Sequence, residues 1–155
     1  KTRATILHRI CTFGHLKALR FVQSLLSEEE FIVHIFTTNH YDITPIEYAV
    51  RYSQVSTIQY LFGLSAVRER YSDMDLLHRV VYHLFVYNKN RQIVDFLLNE
   101  LSIKDRMSEI LRHKCTAPTQ QMSSGAMKYH YYTIVSRTAY LHNVRSLQSL
   151  RDVME

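Results

Sequence analysis

Thr5-Ile6-Leu7-His8-Arg9-Ile10-Cys11-Thr12-Phe13-Gly14-His15-Leu16 opens a pattern that returns three more times along the chain. The second copy is Thr44-Pro45-Ile46-Glu47-Tyr48-Ala49-Val50-Arg51-Tyr52-Ser53-Gln54-Val55. The third begins Asp75-Leu76-Leu77-His78-Arg79-Val80-Val81, and the fourth runs from Thr133 through Ala139 and Asn143 to Val144. Each leads into an apolar-periodic stretch: Leu19 to Leu26, Ile58 to Phe62, Ile93 to Leu98 and Leu147 to Leu150. A short helix, a tight turn and a second helix is the unit this predicts. Thr ahead of the first helix caps its free N–H groups, and Pro45 at the first helical position forfeits no hydrogen bond. Gly14 supplies the positive φ of a helix-ending turn. Ser53, Lys89 and His142 stand at the corresponding places, so those turns are expected to be strained, reshaped or longer.

Composition agrees with helices. Three glycines and two prolines in 155 residues are too few for the turns of a sandwich or barrel, or for a phosphate-cradling loop. Hydrophobic residues at 46% and charged residues at 21% exclude a largely disordered chain. No apolar run is long enough to cross a membrane. Two cysteines, Cys11 and Cys115, make no disulfide framework and suit a reducing compartment, so an intracellular, cytoplasmic setting is expected. The net charge is +5, and the basic excess lies at the two ends without a Lys/Arg block. That favours a partner with an acidic segment and disfavours nucleic acid.

The four segments resemble the ankyrin repeat, whose hallmark is Thr-Pro-Leu-His-x-Ala-Ala, then Gly-His and an Ile-Val-x-x-Leu-Leu helix. Thr5, Leu7, His8, Gly14 and His15 match it, as do Thr44, Pro45 and Ala49. Leu77, His78, Ile93, Val94, Leu97 and Leu98 match with about five residues inserted between the helices; Thr133, Ile134, Val135 and Ala139 match least. The resemblance implies one domain over 1–155, with units near 2–36, 41–66, 72–101 and 130–155 and an insertion at 102–129. It implies an all-α, ankyrin-like solenoid of about four degenerate helix-turn-helix repeats with little or no β-hairpin. The family's Gly-Ala-Asp-x-Asn hairpin signature is missing. Ser27 to Glu30 and Ser102 to Asp105 read instead as capping boxes opening supplementary helices, the first of them through Phe36. Residues 115–126 read as a polar loop.

Catalytic chemistry finds little support. His113 and His130 are the neighbours of Cys115, but no frame of nucleophile, base and orienting group surrounds it. A zinc site would need two further ligands at tight spacing. Cys11 and Val81 read as core, and His8 and His78 as structural histidines bonded to backbone. Glu28 to Glu30 read as a solvated helix start. No enzyme activity, cofactor or metal is expected.

Eleven tyrosines are more informative. In ankyrin arrays the two residues before the Gly-His turn end the first helix on the concave face. The resemblance therefore places Phe13, Arg51, Tyr52, Tyr82, His83 and Tyr140 there. Residues just before each anchor approach the same face, among them His40, Tyr41, Tyr71, Tyr129, His130 and Tyr132. An aromatic-rich groove with Arg51 inside it would follow, with Tyr52 and Tyr82 as its leading anchors. The alternative is that supplementary helices pack over these rings and bury them. The function implied is non-catalytic binding of a protein or peptide. Two alternatives stay open: an anion-binding module using the basic ends on nucleic acid or an acidic membrane surface, and the recruiting or regulatory part of a larger enzyme. One test follows from the register alone. Ala49 is small where first helices must meet closely, so Ala49→Arg should remove more than about 3 kcal/mol of stability in a urea melt.

Overall fold

The computed structural model describes residues 3–87, 90–112, 115–117 and 130–132. In chain order the helices are α1 (Ile6–Phe13), α2 (Leu16–Ser24), α3 (Glu28–Ile35), α4 (Pro45–Arg51), α5 (Val55–Gly63), α6 (Ser65–Arg70), α7 (Met74–Tyr87), α8 (Arg91–Glu100) and α9 (Ile103–Arg112). Two three-residue strands, β1 (Cys115–Ala117) and β2 (His130–Tyr132), pair antiparallel with Cys115 opposite Tyr132. The described chain is thus all-α apart from that one pairing. It corrects the reading of 115–117 as loop.

The helix starts follow from their caps. Thr44 accepts the Glu47 N–H while the Glu47 carboxylate takes the Thr44 N–H, a complete capping box with Pro45 at the first helical position. Ser27 and Glu30 do the same for α3, and the two hydrogen bonds from Ser27 hold the Glu30 carboxyl below its ordinary pKa. In α1 the acid's place is taken by His8, whose Nδ1 accepts from the Thr5 N–H at 3.1 Å and the Thr5 hydroxyl at 2.8 Å. For α7, Asp73 takes the Leu76 N–H, so the helix begins before the Asp75 anchor. One expected cap is different. Ser102 has φ 47, whereas an N-cap needs extended backbone, so α9 opens without the expected box.

The turns closing α1 and α4 are copies. His15 N–H bonds Ile10 C=O and Leu16 N–H bonds Gly14 C=O; Gln54 and Val55 make the same bonds to Ala49 and Ser53. Gly14 has φ 69, and Ser53 adopts φ 60 in its place, the strained turn anticipated there. The turns expected at Lys89 and His142 lie outside the described residues.

These units stack in rows. α4 packs between α1 and α7, and α5 between α2 and α8. The first row is parallel, because starts meet starts and ends meet ends: His8 reaches Ile43, and Gln54 beyond α4 reaches Thr12 at the end of α1. α3, α6 and α9 follow as a third row. Arg70 of α6 lies over the Phe36 ring, and Arg106 of α9 donates to the Tyr71 and Ser72 carbonyls just past α6. α6 was not foreseen in the sequence. The core runs through the first two rows: Leu7, Ile10, Cys11, Ile46, Ala49, Leu77, Val80 and Val81 are all buried, as their register predicts. Val135 and Ala139, assigned to the same core, lie outside the described residues, as does the rest of the fourth unit.

The segment joining α3 to α4 carries the polar part of the stack. Asn39 Oδ1 accepts the Tyr41 and Ile43 N–H groups, and its amide donates to the Tyr48 hydroxyl. His8 Nε2–H donates to the Ile43 carbonyl at 3.0 Å, which fixes its tautomer. Glu47 is 2% exposed and accepts Arg79 Nε at 2.7 Å and Nη2 at 3.0 Å. The same guanidinium reaches the Asp42 carboxylate at 3.2 Å and the Asp42 carbonyl. A buried carboxylate left alone forfeits its hydration with nothing in return. Arg79→Ala should therefore cost roughly 3 kcal/mol or more. Arg91→Ala at the exposed pair with Asp95 should cost under about 1 kcal/mol. Urea melts of the two variants make the comparison.

Candidate interaction surface

The parallel first row brings the C-terminal ends of α1, α4 and α7 side by side. Phe13 ends α1, Arg51 and Tyr52 end α4, and Tyr87 ends α7. Phe13 is 56% exposed and Tyr52 49%. Tyr52 stacks on Tyr48 with centroids 6.0 Å apart and planes 6° off parallel. The Arg51 guanidinium sits 4.1 Å from the Tyr87 ring centroid and 5.9 Å from that of Tyr52. Phe13 has the His15 ring stacked against it at 5.9 Å and Arg9 over its face at 5.5 Å. The row is a set of rings held in place by neighbouring rings and cations. Such pre-ordered rings lose little freedom on binding.

Not every assigned residue joins it. Tyr41 is exposed and packs on His40, with centroids 3.6 Å apart, in the segment before α4. Tyr82 and His83 are buried, which corrects their assignment to an open groove. The reason is length. The inserted residues continue α7 to Tyr87, so Tyr82 and His83 lie within the helix rather than at its end. Tyr71 is also buried, against Phe62 and Phe36, and burial raises its hydroxyl pKa well above the ordinary value. Tyr129, Tyr140 and the side chain of Tyr132 lie outside the described residues. Tyr87 was missed because the sequence pattern ended the first helix of that unit too early.

No described group looks chemically activated. Burial pushes the Cys11 thiol up to about 12, which leaves it protonated and inert. Among the described residues no three His, Cys, Asp or Glu side chains come together as a metal site. An open cleft of about 540 Å³ lies between α3 and α6, lined by Glu28, Glu29, Ile32, Val33, Ala66, Glu69 and Arg70. Nothing in it pairs a nucleophile with a base. No helix among the described residues is long and apolar enough to cross a membrane. Comparison with protein-family models, with curated proteins and with solved structures finds no match.

His83 gives the fold a pH response. Its Nδ1 is buried without a hydrogen-bond partner, and its Nε2 lies 4.0 Å from Glu47, too far for a hydrogen bond. Burial lowers its pKa to about 4; Glu47 opposes the shift, while Arg51 and Arg79 reinforce it. The ring is therefore neutral near pH 7, and its contact with Glu47 is no ion pair. His8 is shifted in the same direction by burial, against the Ile43 hydrogen bond and Glu47. Unfolded histidine titrates near 6.5, so below that pH the unfolded chain binds the extra proton. The stability from His83 is complete above about pH 6.5 and falls as pH drops toward 4, by roughly 3 kcal/mol in all. Urea midpoints between pH 4 and 7 should show that slope, and His83→Phe should flatten it in part.

Proposed function

We propose that this chain is a non-catalytic protein-interaction module, a short array of degenerate ankyrin-like units that takes a protein or peptide segment across the ends of its first-row helices. The observation that carries the reading is the ring-and-cation row of Phe13, Tyr52, Arg51 and Tyr87. Support for the family resemblance comes from three features. Thr5 and Thr44 cap α1 and α4, the Gly14 and Ser53 turns share their hydrogen bonds, and first helices stack on first helices in order. The fourth unit of the array, beginning at Thr133, remains part of the proposal only. Supplementary helices α3, α6 and α9 occupy the place after each second helix, where the family has hairpins. Among the described residues α6 packs on α5, and α9 packs on both α8 and α7.

Rings and a guanidinium favour a segment with apolar side chains and at least one carboxylate. Arg51 is half-buried between two tyrosines, which lowers its cost of ordering and directs it at an incoming anion. Peptides selected from a displayed random library on the whole chain should be enriched in acidic residues beside aromatic or aliphatic ones. Tyr52→Ala should weaken them by about 2 kcal/mol, near thirtyfold, without moving the melting temperature. Arg51→Ala should remove the acidic preference. Selected peptides that bind both variants as tightly as the parent would overturn the reading.

A further inference from the structure

The cleft between α3 and α6 has apolar walls with carboxylates beside them. Each helix turns one face to it at helical spacing: Glu28, Glu29, Ile32 and Val33 from α3, and Ala66, Glu69 and Arg70 from α6. Ile32 is buried, whereas Val33 is 54% exposed. Among the described residues none of the three carboxylates takes part in an ion pair or a side-chain hydrogen bond. Arg70, the one cation of the lining, holds its guanidinium over the Phe36 ring at 6.0 Å.

Helix starts account for only part of this charge. Glu28 and Glu29 stand in the first turn of α3, where the helix dipole favours them. Glu69 is next to last in α6, at the end where the dipole opposes a carboxylate. It shares the cleft with two like charges, and the cations on either side of it are directed elsewhere. Arg68 reaches Glu100 at 3.5 Å and the Phe62 carbonyl, and Arg70 goes to Phe36. The next gap of the same row is different. Between α6 and α9 the chain supplies its own cation, Arg106, which donates to the Tyr71 and Ser72 carbonyls. The gap between α3 and α6 has acceptors and no such donor.

We infer that this cleft is a docking site for a basic segment of a partner protein. An aliphatic side chain of the segment sits on Val33 and Ala66, and its lysines or arginines meet Glu28 and Glu29 on one wall and Glu69 on the other. Among the described residues no three carboxylates come close enough together to hold a metal ion, so cations spread along a chain fit better than a point charge. Nucleic acid and anionic membranes are repelled by the same carboxylates. A second copy of this chain is poorly supplied for the role. Its Arg9 and Arg20 already lie over rings, and its Arg79, Arg91 and Arg106 are in ion pairs. None of the lining residues belongs to the ring row, which calls for the opposite charge in its ligand.

The test is selection from a displayed library of random peptides on the whole chain carrying Tyr52→Ala, so that failure here leaves the ring row untouched. Selected peptides should be enriched in Lys or Arg beside Leu, Ile or Val. Val33→Ser and Glu69→Lys, both at exposed positions, should each weaken them about tenfold, while urea midpoints stay near the parent's. Repeating the selection on Glu69→Lys should lose the basic enrichment. Peptides without that enrichment, or ones that bind both variants as tightly as the parent, would overturn the proposal. Affinity lost in one variant alone would overturn it as well, since the site needs both its apolar wall and its carboxylates. Two further results would do the same: self-association or calcium binding abolished by Glu69→Lys, in each case with no basic peptide selected.

Discussion

A single carboxylate, Glu47, sets how the helices of the first row meet. It is buried, so it must be paired, and its pairing is distributed over three parts of the fold. One oxygen accepts the Thr44 N–H and so closes the start of α4. Both oxygens accept from the Arg79 guanidinium, which fixes the height and rotation of α7 against α4. That guanidinium also holds Asp42, at the tip of the segment whose Ile43 carbonyl receives His8 from α1. Three helices are thereby registered by one continuous set of polar contacts. Apolar packing supplies most of the stability but slides easily; charged hydrogen bonds with fixed geometry do not.

The surface depends on that register. Arg51 can lie over Tyr87 only if the end of α7 stands level with the end of α4. The Arg79 contact sets that level from the other end of both helices. His83, between them, is where the arrangement is most exposed to acid: a proton there would have no hydrogen-bonding partner at Nδ1 and would face Arg51 and Arg79. Folding stability and the shape of the ring row therefore rest on the same interior.

Much of this was legible in the sequence, and the reasons are local. Thr5, Thr44 and Ser27 announce their caps because capping depends on a few consecutive residues. Leu7, Ile10, Ile46, Ala49, Leu77 and Val80 announce the core because helical spacing puts them on one face. The misreadings all involve length or tertiary context. The third segment reads from Asp75, whereas Asp73 starts the helix two residues earlier. Residues after His83 could either lengthen α7 or loop out; helix propagation through Leu84, Phe85 and Val86 buries all three, and that burial favours the longer helix. Tyr82, His83 and Tyr71 went under for the same reason, since aromatic side chains mark binding surfaces and cores equally well. Glu47 and Arg79 are far apart in sequence and carry no motif, so their pairing could not be read at all.

Gly14 and Ser53 show how one position can answer to two constraints. The two turns have the same hydrogen bonds and nearly the same φ, so backbone geometry alone does not demand glycine. Ser53 accepts the left-handed conformation at a cost of about 1 kcal/mol. At Gly14 the space where a Cβ would stand is filled by the Gln54 side chain of the next unit, whose amide donates to the Thr12 carbonyl at 2.8 Å. Any other residue at 14 would therefore meet two constraints, the left-handed backbone and the tip of the Gln54 side chain. That contact seats the α4–α5 turn against the end of α1, next to Phe13. A side chain at residue 14 would push the Gln54 amide off the Thr12 carbonyl and loosen the α4–α5 turn where it meets the end of α1.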